Sequence, residues 1–200
     1  MKQTVKTEIT RRKILEAAES EFSALGLAAA RIDSIAKTAD VNKQMIYAHF
    51  KSKEGLYRAV LERVYMRLSE YQDIIANFDF EGIDTVRKII SEYFSFLINN
   101  PSFVRLMLWE NLNNAMYVGD IKTTLFSGIE NVLRKGIKKG VIRKDLDIEQ
   151  TIISFNMFCF SAFSNVYTIS KLLDKDLSSK EELAKRSIHI TEVLLKYIFE

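Results

Sequence analysis

Apolar residues recur at steps of three and four along almost the whole chain, and no convincing run of period two interrupts them. Such spacing gives one face of a helix to a core and leaves the other to water. Proline occurs once and glycine 7 times, too few for the tight turns of an all-β fold. The expected class is all-α, with about nine helices. Ile14, Leu15, Ala18, Phe22 and Leu25 mark the first, and Gly26 stands where a helix C′ residue would. A short helix around Ile32, Ile35 and Ala36 breaks at Ala39-Asp40-Val41, and the next begins with Asn42 as N-cap. Ser52 caps a long helix carrying Leu56, Val60, Val64 and Leu68, with Glu54 well placed against its N-terminal dipole. Gly82 with Asp84 and then Asn100-Pro101 mark breaks, Pro101 suiting a first helical position. Gly119-Asp120 and Gly140 bracket a further helix. Asp147 with Gln150, and Ser178 with Glu181, resemble capping boxes for the last two helices.

Composition narrows the function. One cysteine excludes an intramolecular disulfide, and two histidines with it are too few for the usual transition-metal sites. Neither a metal nor a cofactor is expected. The net charge of +3 is unevenly spread: residues 1–60 hold 11 Lys+Arg against 7 Asp+Glu, and residues 61–200 hold 18 against 19. The start, Met1-Lys2-Gln3-Thr4-Val5-Lys6-Thr7-Glu8, has no apolar stretch behind it and does not read as a signal peptide. Gln150 to Ser170 is 21 residues without a charge, but nine of them are polar, so a helix buried on more than one side is expected rather than a membrane span. The expected setting is cytoplasmic, with no membrane partner.

Three helices within residues 9–50, the second and third joined by a short turn, fit a helix-turn-helix. Asp40 occupies the sharp turn, where Asp tolerates left-handed backbone better than most side chains. In the following helix Val41, Ile46 and Phe50 can turn inward while Lys43, Gln44, Tyr47 and His49 project outward. Glutamine suits bidentate pairing with adenine and lysine suits guanine. Tyr47, His49 and Lys53 can hydrogen-bond phosphates, and Arg11, Arg12 and Lys13 add charge at the first helix. The Tyr47 ring can alternatively pack within the domain, leaving only its hydroxyl to DNA. His49 has no local nucleophile or carboxylate, which favours phosphate contact over catalysis.

The stretch Thr10 to Leu61 resembles the DNA-binding domain of TetR-family transcriptional regulators. It contains Arg12-Lys13-Ile14-Leu15-Glu16-Ala17-Ala18, then Phe22, Gly26, Ile35-Ala36 and Val41-Asn42-Lys43. Ile46-Tyr47-Ala48-His49-Phe50-Lys51-Ser52-Lys53-Glu54-Gly55-Leu56 carries the resemblance furthest. A weaker echo is Gly140-Val141-Ile142-Arg143-Lys144-Asp145-Leu146-Asp147, similar to the loop before the family's eighth helix. Arg31 and Ser34 stand where the family has a capping Thr and its acidic partner, and Asp40 where it has a turn Gly. The resemblance implies that Lys43, Gln44, Met45 and Ala48 lie nearest the bases. It implies that Tyr47, His49, Lys53 and Arg31 face phosphates.

Residues 61–200 hold 11 of the 13 Phe, 6 of the 8 Tyr and the only Trp. Such stripes are usually core, yet adaptable Met and aromatic side chains with a few polar groups also suit an apolar pocket. The candidate ligand residues are Phe94, Met107, Trp109, Tyr117, Met157, Phe160 and Phe163, with Glu110 or Asn113 orienting a polar end; Asn156 and Asn165 are further polar candidates. Cys159 reads as an inert buried thiol. Helix 148–170 shows one stripe of Ile148, Ile152, Phe155, Cys159 and Ala162 and a second of Ile153, Met157, Phe160 and Tyr167. Helix 179–199 likewise offers Leu183, Ile190, Leu194 and Ile198, and then Ile188, Leu195 and Phe199. Two stripes need two coverings, so a homodimer is expected, with Ile152, Phe155, Leu194 and Ile198 at its interface.

The combined expectation is a helix-turn-helix domain over residues 1–52 and a helical effector-binding and dimerisation domain over 53–200. The chain would act as a repressor released from a near-palindromic, double-stranded operator by a small apolar or amphipathic effector. The rivals are a DNA-binding regulator without an effector and an all-helical enzyme. No GxSxG, P-loop, HExxH or CxxC pattern supports the latter.

Overall fold

The computed structural model describes residues 2–120 and 126–199, which contain helices and no strand. In order these are α1 (Lys2–Ala29), α2 (Ile32–Ala39), α3 (Lys43–Phe50), α4 (Lys53–Ala76), α5 (Ile83–Asn99) and α6 (Pro101–Leu112), then a 3-10 turn at Val118–Asp120. After it come α7 (Ser127–Lys138), α8 (Ile148–Ser164), α9 (Val166–Leu172) and α10 (Lys180–Phe199). Two compact units result, residues 1–67 with 105–123, and residues 68–104 with 124–200. The division expected after residue 52 falls inside the first unit, because α6 returns to pack with α1 and the start of α4 through Trp109 and Glu110.

Local signals explain most element ends. Asn42 Oδ1 accepts from the Gln44 N–H at 2.9 Å, Ser52 Oγ from the Gly55 N–H at 2.9 Å, and Asp147 Oδ1 from the Gln150 N–H at 3.0 Å. Each satisfies a donor that the first helical turn would leave unpaired. The cap of α10 lies one residue later than expected: Ser179 Oγ, not Ser178, receives the Glu182 N–H. Ser178 is consumed by Asp176, whose Oδ1 accepts from both its N–H and its hydroxyl. The single helix expected over 148–170 is two, broken at Asn165 (φ −106°, ψ 6°) with a bend of 69°. Ser and Asn offer the backbone competing hydrogen bonds, which favours such a break. Among the described residues no single helix is long and apolar enough to cross a membrane, although this bent pair passes by length and composition.

In the first unit Ile14, Ala18, Phe22, Ile35, Ile46, Leu56 and Tyr57 are fully buried, and the Phe22 and Tyr57 rings meet edge to face at 5.0 Å. α1 kinks at Gly26 (φ +71°), where a Cβ would come within 2.8 Å of the Trp109 ring. Both the backbone sign and the close indole therefore require glycine there.

The second unit is built on α5, α8 and α10, with α7 against α8. Its aromatic centre joins Tyr71, Tyr93, Phe96 and Phe155, with Tyr71 donating to the Ile89 carbonyl and Tyr93 to Asn156 Oδ1. Lys135 Nζ donates to the carbonyls of Ala76 and Phe78, both at 3.0 Å, satisfying the C-terminal end of α4. Gln72 is 2% exposed, and neither its amide nitrogen nor its amide oxygen has a partner among the described residues.

The expected interface residues need correction. Phe155, Leu194 and Ile198 are buried inside the second unit together with Val86, Ile89 and Ile90, and Ile152 is half-buried. They form the inward stripe because α5 supplies the apolar partner that a second subunit was expected to supply. The outward large apolar residues are Ile153, Met157 and Phe158 on α8, with Ile188, Val193 and Tyr197 on α10.

Candidate nucleic-acid interface

α2 and α3 are joined by Asp40-Val41-Asn42, and Asp40 adopts the left-handed conformation (φ 54°, ψ 51°) that the sharp turn needs. Ile46 and Phe50 anchor α3 to the core at 0% and 7% exposure, which fixes what its other faces present. Gln44, Tyr47 and Ala48 are exposed along one flank, with Met45 exposed and His49 half-buried along the next. Lys43 is also exposed. Its Nζ meets both oxygens of Asp33 in α2, at 2.9 and 3.1 Å, and that hydrogen bond raises its ammonium above the usual lysine value.

Two other expected DNA residues lie outside α3. Arg31 is the N-cap residue of α2 and makes no side-chain cap. In its place Glu21 of α1 reaches across, one carboxylate oxygen accepting from the Arg31 N–H at 3.1 Å and the other from the Ser34 hydroxyl at 2.9 Å. The start of α2 is thus capped from another helix, and the departure from Thr at position 31 loses little. Lys53 opens α4, and its ammonium donates to the Ala28 carbonyl at the end of α1. Arg11 sits over the Phe50 ring at 5.4 Å, adding a cation–π contact behind α3.

Sequence reasoning missed Glu21 and Asp33, whose partners lie ten or more residues away. The candidate ligand residues divide between the two units. Met107, Trp109, Glu110, Asn113 and Tyr117 fall in the first unit, and Phe94, Met157, Phe160 and Phe163 in the second. Trp109 packs on Gly26 and its Nε1 donates to the Ser23 carbonyl at 3.4 Å. Glu110, 2% exposed, accepts from the Tyr57 hydroxyl at 2.9 Å and from the N–H groups of Tyr117 and Val118 at 3.0 and 3.1 Å. Burial, joined by the Glu110 carboxylate, drives the Tyr57 hydroxyl far above its usual value. Tyr65 donates to Met107 Sδ, and burial pushes its hydroxyl up to about 12. These groups brace residues 107–118 against α1 and the start of α4.

In the second unit Phe94 and Phe163 meet edge to face at 5.3 Å, Phe160 packs near Phe103, and Met157 is 64% exposed. A cavity of about 450 Å³ lies between α8, α9 and α10; of the candidate residues it is lined by Asn165, and the seven apolar candidates, Glu110, Asn113 and Asn156 lie elsewhere. Cys159 is fully buried, and burial pushes its thiol well above the usual range, so it is inert.

A short, well-anchored helix with a polar outer face, set after a left-handed turn, defines a helix-turn-helix DNA-binding protein. The family described as "Bacterial regulatory proteins, tetR family" matches residues 14–60, and "Tetracyclin repressor-like, C-terminal domain" matches residues 83–194. The chain therefore belongs to the TetR family of transcriptional regulators. It is 28% identical over 193 residues to the HTH-type transcriptional repressor NicS of Pseudomonas putida, covering 94% of this chain and 91% of that one. The crystal structure of SCO4942 from Streptomyces coelicolor superposes with a TM-score of 0.73 at 25% identity, covering 94% of this chain and 98% of that one. HlyIIR, a hemolysin II transcriptional regulator, shares the fold at a TM-score of 0.65 and 22% identity, covering 97% and 99%. The protein is thus a DNA-binding regulator of transcription and not an enzyme.

Proposed function

We propose that the chain is a homodimeric repressor that binds a near-palindromic operator in the cytoplasm and releases it when a small amphipathic molecule occupies the second unit. The helix-turn-helix domain of residues 1–52, with Lys53 just beyond it, carries the DNA contact. Gln44 reads a base, with Lys43, Met45 and Ala48 beside it, while Arg31, Tyr47, His49 and Lys53 hold phosphates. The observation that carries this reading is α3 itself, eight residues long with Ile46 and Phe50 committed to the core. So short a helix reaches few bases, and two copies on one DNA face supply the missing contacts, about 34–36 Å apart or a multiple of it.

Effector release is supported by the cavity in the second unit, whose volume falls within the range of small-molecule sites. A ligand that binds both conformations equally shifts nothing, so an effector must favour the state that holds DNA less well. Randomised-site selection with the full chain tests the DNA half. The expected result is a two-fold repeat of half-sites, and a single asymmetric half-site bound by a monomer would overturn it.

A further inference from the structure

The cavity between α8, α9 and the start of α10 has apolar walls from Val166, Ile169, Leu173, Leu177 and Leu183, and its polar lining is Ser161, Asn165, Glu182 and the guanidinium of Arg186. Arg186 is half-buried, and no hydrogen bond or ion pair engages it among the described residues. Its natural partner would be Glu182, one helical turn earlier on the same wall. That carboxylate is already committed, with Lys175 Nζ at 2.6 Å and Lys185 Nζ at 3.1 Å. The two lysines hold its carboxyl below the usual range. Arg186 is therefore a half-buried guanidinium beside apolar side chains, with the one carboxylate on its wall held by two lysines, so its N–H groups are open to an anion. The same wall leaves Ile169 and Leu173 in water, at 40% and 63% exposure.

Charge and apolar surface together specify an occupant. We propose that this groove binds a small amphipathic carboxylate, its apolar body against Val166, Ile169, Leu173 and Leu183 and its carboxylate in the fork of Arg186. Arginine presents parallel N–H groups that match the two oxygens of a carboxylate, a fit that neither an alcohol nor an amine can make. α8 and α10 also carry the outward apolar stripe described above, so an occupant between them bears on the surface through which the proposed dimer forms. The regulatory consequence rests on the effector-release reading; the binding site does not.

Calorimetric titration of the full chain with octanoate, 1-octanol and octylammonium tests the site. Octanoate is expected to bind about tenfold or more tightly than 1-octanol, the difference made by a charge-assisted pair. Arg186→Gln should reduce octanoate to the level of 1-octanol and leave 1-octanol unchanged. Leu173→Asp, at an exposed position that folding does not need, should weaken octanoate more than 1-octanol. Octanoate binding that is absent, that survives Arg186→Gln, or that is lost in Gln72→Leu instead overturns the assignment. So does a dimer that Leu173→Asp dissociates while wild-type chain ignores octanoate, since the groove would then receive a second copy. Binding that obeys Arg186 but leaves operator affinity unchanged overturns effector release and leaves the site standing.

Discussion

Lys43 and Gln44 are neighbours on α3 with opposite constraints. The Gln44 side chain is exposed with its backbone N–H fixed by Asn42, so its amide is free to pair with a base edge. Gln44→Ala is expected to cost about 1–3 kcal/mol at one operator position and little elsewhere, as read by binding to a set of single-base operator variants. Lys43 is held by Asp33, which lies at 76% side-chain exposure on the first turn of α2. A carboxylate there repels the phosphates of the duplex and occupies the ammonium that would otherwise meet the DNA. Asp33→Asn should tighten binding to all DNA sequences and steepen the salt dependence by about one unit in the log–log slope. Fluorescence anisotropy across a salt series measures both, and weaker binding would show that the ion pair orders the lysine for DNA.

The elements show which signals a sequence carries and which it hides. Asn42, Ser52 and Asp147 act on donors two or three residues away, so their caps could be read from spacing alone. Glu21 caps α2 from ten and thirteen residues away, and only the fold brings it there. The shift from Ser178 to Ser179 came from competition by Asp176, a contest that a simple capping-box pattern does not include. The break at Asn165 was hidden because the apolar stripes of α8 and α9 continue in phase through it. Glu21→Ala removes both bonds at the start of α2 and should lower stability by about 1–2 kcal/mol, as measured in urea. The beginning of α10 should depend on acid. Lys175 and Lys185 depress the Glu182 carboxyl, so its contribution is present above the usual carboxylate range and is lost as pH falls through the depressed value. Hydrogen exchange near residues 180–185 should accelerate across that window in wild-type chain, and Glu182→Gln should abolish the change.

For the whole molecule, periodicity revealed that α8 and α10 each have two apolar faces, but it could not say which one its own chain would cover. That choice depends on where α5 lies, and α5 takes Phe155, Leu194 and Ile198. The dimer is therefore proposed to form through the outward set of Ile153, Met157, Phe158, Ile188, Val193 and Tyr197. The two sets separate by experiment, because a charge on each has a different consequence. Leu194→Asp places a carboxylate in the core of the second unit and should unfold it, which says nothing about assembly. Met157→Glu and Ile188→Glu alter side chains at 64% and 61% exposure, so the fold should survive. Together they would bring like charges onto the proposed contact in both copies and leave them desolvated there. Sedimentation of the double variant should give a monomer with wild-type circular dichroism. Its affinity for a half-site should approach that of the intact protein, while affinity for the full operator collapses to the half-site value. A variant that stays dimeric would move the contact away from α8 and α10, and one that loses half-site binding as well would tie the stripe to the DNA-binding unit instead.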